Sequence, residues 1–345
     1  MRIALDAQLG VGTATGIGEY VRGLVAALRD AGEDVIEVRD VRIDPWRFDR
    51  RVLWDQVLLP RLAARSGAAL LHCASGTVPL VRSMPIVVTV HDVAWMRVQR
   101  HARWYARRYF GEFSVARYRR AAAVLADSAF SRTELLAVSG GIDASRVHVV
   151  APGVASDFAR VRRESDRQTI LAVGTIEPRK NLAHLIRLLP RLPRARLVAV
   201  GPATPYRQAC VAAARELGVA DRVEFRGYVS RSALLDLYAT AAVAAVPSQY
   251  EGFGYAAAQA LCAGLPCVVS DRASLPEVVG SDGTPLALED IDGWARALES
   301  ALEGEADAVA AASREECARR FSWSTCAAKV REIYRAVLGN ALVDR

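Results

Sequence analysis

The sequence predicts an α/β protein of two units, each a parallel sheet covered by helices on both faces, and three observations carry that prediction. Short β-branched runs alternate with longer Ala-, Leu- and Arg-rich segments of helical period, the pattern of strands buried on both faces. The alternation runs once, breaks, and starts again. A chain of 345 residues also exceeds what one hydrophobic core usually supports, so two domains of ordinary size are expected.

Taken in order, the first series holds strands at "RIALDA", "AALLHCA", "PIVVTVHD", "AVLADS" and "RVHVVAPG". The second holds "TILAVGT", "ARLVAVG", "RVEFRGYV", "VAAVPS" and "PCVVSD". The polar, strand-free stretch "SDFARVRRESDRQ", residues 156–168, reads as a linker between a domain over 1–155 and one over 169–320. A last helix, roughly Ser324–Leu338, follows "FSW" and carries Trp323, Val330, Ile333 and Tyr334 at helical spacing. Both series read as Rossmann-like, and sheets of that kind bind ligands beyond the carboxyl ends of their strands.

With 52% hydrophobic and 24% charged residues, the chain can bury a full core and is not disordered. Its net charge of +7 favours anionic partners. Nucleic acid is not expected among them: zinc-finger spacing and a basic zipper are absent, and aromatics do not alternate with basic residues. The six cysteines show neither CxxC spacing nor a Cys/His cluster and read as buried free thiols. His72, His101, His148 and His184 show no metal-ligand spacing, so no metal site is expected. The N-terminus reads as a strand, and no segment is long and apolar enough to span a bilayer, which places the protein in the cytoplasm.

Four loops stand out. In "GVGTATGIGEYVRGLVAAL", Gly16 and Gly18 precede a helix and either let the backbone approach a phosphate or sugar or form an ordinary turn. In "GTIEPRKNL", Arg179 and Lys180 sit at a helix start, where they oppose the helix dipole; a bound diphosphate would account for them, and so would solvation. In "EGFGYAAAQ", Gly252 and Gly254 open the backbone, and Glu251 and Gln259 stand eight positions apart, an acceptor pair suited to hydroxyls of a sugar and a ribose. An ordinary helix N-terminal acid would explain Glu251 but not the glycines. In "TVHDVAW", His91 closes a strand on the ligand side and is expected to hydrogen-bond a substrate hydroxyl.

Together, "GIGEY", "HD", "ADSAFSR", "VVAPGV", "GTIEPRKNL", "EFRGYV", "PSQYEGFGYAAAQALCAGLPCVVSD", "LPEVVG" and "FSW" resemble, in order along the chain, the GT-B retaining glycosyltransferases of family 4, also called group 1. The resemblance implies two facing Rossmann-like domains, the first binding the acceptor and the second the nucleotide-sugar donor. It also implies a final helix that crosses back to the first domain, over residues 321–345. It implies Lys180 on the donor diphosphate and Glu251 as the first acid of the family's E-x7-E signature, touching the donor sugar. Phe253, Gly254 and Tyr255 match backbone donors to sugar and phosphate. Gly16 and Gly18 match the loop near the diphosphate, and His91 the histidine near the transferred sugar. Gly201 and residues Arg226, Tyr228 and Val229 lie where the base sits. On this basis His91, Lys180 and Glu251 are the expected catalytic residues.

Two positions depart from the family pattern. Gln259 replaces the second signature acid, and Thr175 follows Gly174 where many members carry arginine; Arg179 is a candidate to supply that charge. The resemblance implies hexose transfer with retention, by front-face attack and without metal or cofactor beyond the co-substrate. "EPRKN" looks like members that use GDP-mannose, with UDP- and dTDP-sugars open. The acceptor is expected to be a glycan or lipid-linked glycan. The segment Arg97–Arg120 holds eight arginines, one glutamate and several aromatics, and suits either an anionic membrane surface or a solvated helix pair with aromatics turned inward. A nucleotide-sugar-binding protein without transfer activity is the alternative. A dehydrogenase is disfavoured because the Gly16 loop lacks the dinucleotide fingerprint.

Overall fold

The computed structural model describes residues 1–11, 16–98, 103–305 and 307–343, so His101, Arg100 and the tip of the first glycine loop lie outside the described residues. The chain divides into two compact units, Met1–Gly153 with Ser322–Arg345, and Val154–Phe321.

The first unit contains β1 (Arg2–Asp6), β2 (Asp34–Val38), β3 (Leu70–Cys73), β4 (Ile86–Val90), β5 (Ala123–Ala126) and β6 (Val147–Val149), all parallel, in the order β2-β1-β3-β4-β5-β6. The second contains β7 (Thr169–Val173), β8 (Arg196–Val200), β9 (Val223–Gly227), β10 (Val243–Val246), β11 (Cys267–Ser270) and β12 (Thr284–Leu286), also parallel, in the order β12-β11-β10-β7-β8-β9. In that order the chain runs outward from β7 to β9 and then returns to lay β10 on the other side of β7. Loops leaving β7 and β10 therefore diverge, and a crevice opens at their carboxyl ends.

All ten strands expected from the sequence are present. The two that pattern reading missed, β2 and β12, are both edge strands: "DVIEV" carries two acids, and "TPL" is three residues long with a proline. Edge strands are half-exposed and tolerate charge and proline, so they lack the apolar run that marks a central strand.

The stretch 156–168, expected as a linker, is instead packed into the second unit. Phe158 is fully buried, its ring centroid 5.0 Å from that of Tyr238, and the Arg231 guanidinium lies 4.3 Å over it. Arg163 donates to the carbonyls of Tyr238, Ala239 and Ala241. Arginine is polar at its tip only, and a guanidinium that satisfies several carbonyls anchors a segment that composition alone reads as solvated.

The final helix, Trp323–Val343, is longer than expected and places Cys326, Ala327, Val330, Tyr334 and Val337 in the same core as Ile3, Leu5, Tyr20 and Leu24. A buried polar chain ties it to the sheet. The Tyr334 hydroxyl lies 2.6 Å from His72 Nδ1, His72 Nε2 lies 2.7 Å from Thr89 Oγ1, and that hydroxyl lies 2.9 Å from the Tyr20 hydroxyl. All six cysteines are buried and unpaired. Among the described residues no helix is long and apolar enough to cross a membrane.

Burial, assisted by the nearby His91, lowers the His72 pKa to about 3. An unfolded imidazole titrates near about 6.5, so between the two values the unfolded chain binds the extra proton and stability falls as the pH falls, by up to about 1.4 kcal/mol per pH unit from this group. Urea unfolding at about pH 7 and about pH 5 is expected to show that loss, and His72→Gln to flatten it. Tyr334→Phe, which strips a buried imidazole of its partner, is expected to cost about 1–3 kcal/mol at neutral pH.

Candidate active site

The loop after β7 and the loop after β10 meet on one carboxylate. Glu251, 5% exposed, accepts from Lys180 Nζ at 2.5 Å, from an Arg179 guanidinium nitrogen at 3.1 Å and from the Ser248 hydroxyl at 2.7 Å. Arg179 also donates to the Tyr250 carbonyl at 2.7 Å and to Glu177 at 2.8 Å, and the Gln249 amide donates to the Arg179 carbonyl at 2.8 Å. Burial alone would raise the Glu251 carboxyl, but the adjoining Lys180 and Arg179 charges and the Lys180 and Ser248 hydrogen bonds hold it below its ordinary value. Arg179 and Lys180, on the Pro178–Lys180 turn, thus have a protein partner that sequence reading did not assign. A cleft lined by Gly174, Thr175, Ile176, Lys180, Pro247 and Ser248 adjoins Lys180.

The glycines of this region answer to geometry. Gly254 takes φ 98°, a left-handed conformation, just before the buried helix Tyr255–Ala263. The fully buried Ser274 hydroxyl lies 3.0 and 2.9 Å from the carbonyl oxygens of Glu251 and Phe253, so the residue before "LPEVVG" holds the loop from behind. Phe253 is core: its ring meets those of Tyr255 and Phe321 edge-on.

Gln259 sits on the buried helix Tyr255–Ala263. It is 8% exposed, and its amide oxygen accepts from the Tyr238 hydroxyl at 3.1 Å, in the interior between its own helix and Arg231–Thr240. Both side chains accept hydrogen bonds from the protein itself, Glu251 from Lys180, Arg179 and Ser248, and Gln259 from Tyr238. An uncharged amide suits that place, because a carboxylate there would be buried against a neutral hydroxyl.

The remaining positions line neighbouring strand ends. Gly201 closes β8 and donates its amide to the Gly227 carbonyl at 2.7 Å. Arg226, at the end of β9, is exposed and paired with Glu224 at 2.8 Å; Tyr228 is exposed and Val229 half-buried. In the first unit, Gly16 and Gly18 begin the helix Gly16–Asp30, and a Cβ on Gly18 would lie 2.8 Å from the Leu9 carbonyl oxygen. His91 is mostly buried after β4, with Nδ1 2.7 Å from Asp127 Oδ2 and Nε2 3.0 Å from the Ala74 carbonyl. The ring nitrogens expected to meet a substrate hydroxyl are therefore both engaged by the protein itself.

Residues 155–320 match the model for glycosyl transferases group 1, and residues 14–158 the model for glycosyltransferase family 4. The chain belongs to the group 1 glycosyltransferases. It is 30% identical over 289 residues to the MMP α-(1→4)-mannosyltransferase of Mycolicibacterium hassiacum, covering 79% of this chain and 69% of that protein. It is 37% identical over 199 residues to the D-inositol 3-phosphate glycosyltransferase of Mycolicibacterium smegmatis, covering 53% of this chain but only 45% of that relative. Among solved structures, sucrose-phosphate synthase from Thermosynechococcus elongatus superposes with TM-score 0.79 at 22% identity over 99% of this chain and 100% of that one. Anabaena HepE in complex with UDP-glucose gives 0.76 at 17% identity over 97% and 100%. These structures share the GT-B fold with the chain.

Within this group 1 transferase, the residues that sequence reading passed over are Ser248, Ser274 and Asp127. Their only signal was a small polar residue directly after an apolar strand or before a helix, a pattern that capping alone also produces. Gly201 is the most constrained of the expected positions: at φ 141° its added Cβ would lie 2.2 Å from the Gly174 carbonyl oxygen. Gly201→Ala is expected to cost about 2 kcal/mol or more in urea unfolding, because backbone on both sides must move.

Proposed function

We propose that the protein is a retaining hexosyltransferase, with mannose the favoured hexose, that moves the sugar from a nucleoside diphosphate to a hydroxyl of a glycan or lipid-linked acceptor in cell-surface polysaccharide or glycolipid assembly. The observation that carries the reading is the cluster of Lys180, Arg179 and Glu251 beside an open cleft at the switch point of the second sheet. Two cations there match a diphosphate, and a buried acceptor carboxylate matches sugar hydroxyls. A relative named as a mannosyltransferase supports the choice of hexose.

The chemistry follows from charge. Breaking the bond between sugar and phosphate leaves negative charge on the diphosphate, and Lys180 and Arg179 stabilise it where it develops, so the reaction runs without a metal ion. Glu251 orients the sugar through its hydroxyls. The acceptor hydroxyl attacks on the face from which the phosphate departs, and a phosphate oxygen takes its proton, which retains configuration. On this reading the first unit binds the acceptor, and Gly201, Arg226, Tyr228 and Val229 border the base.

A thermal-shift panel of GDP, UDP, ADP and dTDP tests the donor site. A nucleotide at about 100 times its dissociation constant adds about 2.7 kcal/mol, enough to move the melting point by several degrees. Turnover with a suitable acceptor is expected to fall by about 10²-fold or more in Lys180→Ala and Glu251→Ala. Nucleotide binding without transfer across a broad acceptor panel would favour the binding-protein reading, which the inward-turned Gln259 supports.

Contact with the inner face of an anionic membrane belongs to the same reading. Trp46 and Trp104 are 60% and 75% exposed, and Arg97, Arg103, Arg107, Arg108, Arg119 and Arg120 are exposed as well. The inward aromatic face is also real: Arg117 is buried 3.9 Å over the Phe113 ring. Cosedimentation with vesicles containing an anionic lipid is expected, weakening in Trp104→Ser and at high salt; no binding to such vesicles would remove the membrane from the proposal.

A further inference from the structure

The first unit buries four charged side chains close to the ends of β1 and β3. Asp6, the last residue of β1, and Asp55, in the turn Trp54–Leu58, are fully buried, and Arg51 and Arg117 are each 4% exposed. Three of the four are paired. Asp6 accepts from Trp54 Nε1 at 2.9 Å and from the Ser75 hydroxyl. Arg51 Nε lies 2.9 and 3.0 Å from the two Asp55 oxygens, and Arg51 also donates to the hydroxyls of Ser75 at 2.5 Å and Thr77 at 3.3 Å. The Tyr109 hydroxyl donates to Asp55 at 3.0 Å and accepts from Gln56 at 2.9 Å.

Arg117 is the exception. None of its three guanidinium nitrogens has a hydrogen-bond partner among the described residues. Its flat face lies 3.9 Å over the centre of the Phe113 ring, which leaves the edge carrying five N–H groups without an acceptor. Asp6 and Asp55 balance the charges of Arg51 and Arg117 between them, so what the site lacks is acceptor atoms. Burial pulls the Arg117 pKa down from its ordinary value, yet a guanidinium stays charged. A buried donor without a partner points to an acceptor that the chain does not itself supply. The planar fork of a guanidinium fits two oxygens of a phosphate or carboxylate.

The surroundings favour a ligand. The Tyr118 hydroxyl donates to the Gly76 carbonyl at 2.6 Å, which fixes this helix against the loop after β3, on the carboxyl side of the sheet. Two stretches wind wide here: the Leu59 amide reaches back five residues to the Trp54 carbonyl, and the Ser114 amide to the Tyr109 carbonyl. They meet through Asp55, Gln56 and Tyr109, and wide turns of this kind concentrate at functional sites. The chain leading to Arg117 begins with the four-residue helices Ala94–Arg97 and Trp104–Arg107, short pieces that open locally at low cost.

We propose that Arg117 is a binding residue for an oxyanion, a phosphate or a carboxylate, at the carboxyl edge of the first sheet, and that this anion is a group on the acceptor. The oxyanion site stands on the first unit alone. Its assignment to the acceptor rests on the transferase reading.

Inorganic phosphate is the probe for the site, in the full chain carrying Lys180→Ala so that one cation of the donor loop is gone. Near-saturating phosphate is expected to raise the melting point by several degrees over chloride at equal ionic strength, and Arg117→Met in the same background to lose that rise. An equal rise with Arg117→Met would overturn the site. A second readout covers a variant that does not fold: the Arg117 Nε–H signal of the ¹⁵N-labelled chain, assigned by its loss in Arg117→Lys, is expected to move on adding phosphate. A signal that phosphate leaves in place would overturn the site equally. For the acceptor, transfer is compared between acceptors that differ only in a phosphate or carboxylate group. Arg117→Met is expected to raise KM about 10-fold or more for the anionic acceptor and to leave the neutral one unchanged. Equal effects on both would overturn the assignment to the acceptor and leave free phosphate as the ligand. If the unmodified protein transfers to no acceptor, the transferase reading fails, and the phosphate results still decide the site.

Discussion

A carboxylate taken out of water must be compensated, and Glu251 shows how much structure that requirement organises. Its partners come from two loops that leave adjacent strands in opposite directions, one supplying Arg179 and Lys180, the other Ser248 and Glu251 itself. Satisfying the acid ties the loops together across the switch point of the sheet. Behind it, Ser274 fixes the carbonyls of Glu251 and Phe253, and the left-handed Gly254 turns the chain into a helix of small buried residues. The arrangement holds Lys180 and Arg179 on one buried carboxylate, with Lys180 lining a cleft.

Much of this was legible in the amino-acid sequence. The central strands announce themselves because burial on both faces demands continuous apolar runs, and every one so expected is present. Edge strands β2 and β12 escape because half of their surface faces water. The segment 156–168 looks like a linker by composition, yet Phe158 and the carbonyl-bound Arg163 root it in the second unit. Residue type shows neither how a guanidinium is satisfied nor which way a side chain turns.

The same limit explains the site. Glycines, cations and an acid after strands are readable as a ligand loop, but their pairing is not. Gln259 reads from its spacing as an acceptor for a ligand hydroxyl; that its amide oxygen accepts from Tyr238 is not readable from residue type. Asp127 stood in plain view in "ADSAFSR", a stretch read only for its resemblance to the family. Its significance depends on a partner 36 positions away in the chain, His91, which only the fold brings beside it.

On the proposed reading, a donor diphosphate takes Lys180 and Arg179 from the carboxylate of Glu251. Calorimetric binding of a nucleoside diphosphate, without sugar, to Glu251→Gln tests it most directly. Loss of the competing charge should tighten that binding relative to the unmodified protein, even though the sugar contact is gone. Binding weakened in Glu251→Gln as severely as in Lys180→Ala would contradict the account, because Glu251 would then belong to the diphosphate site as a supporting element and not as its competitor.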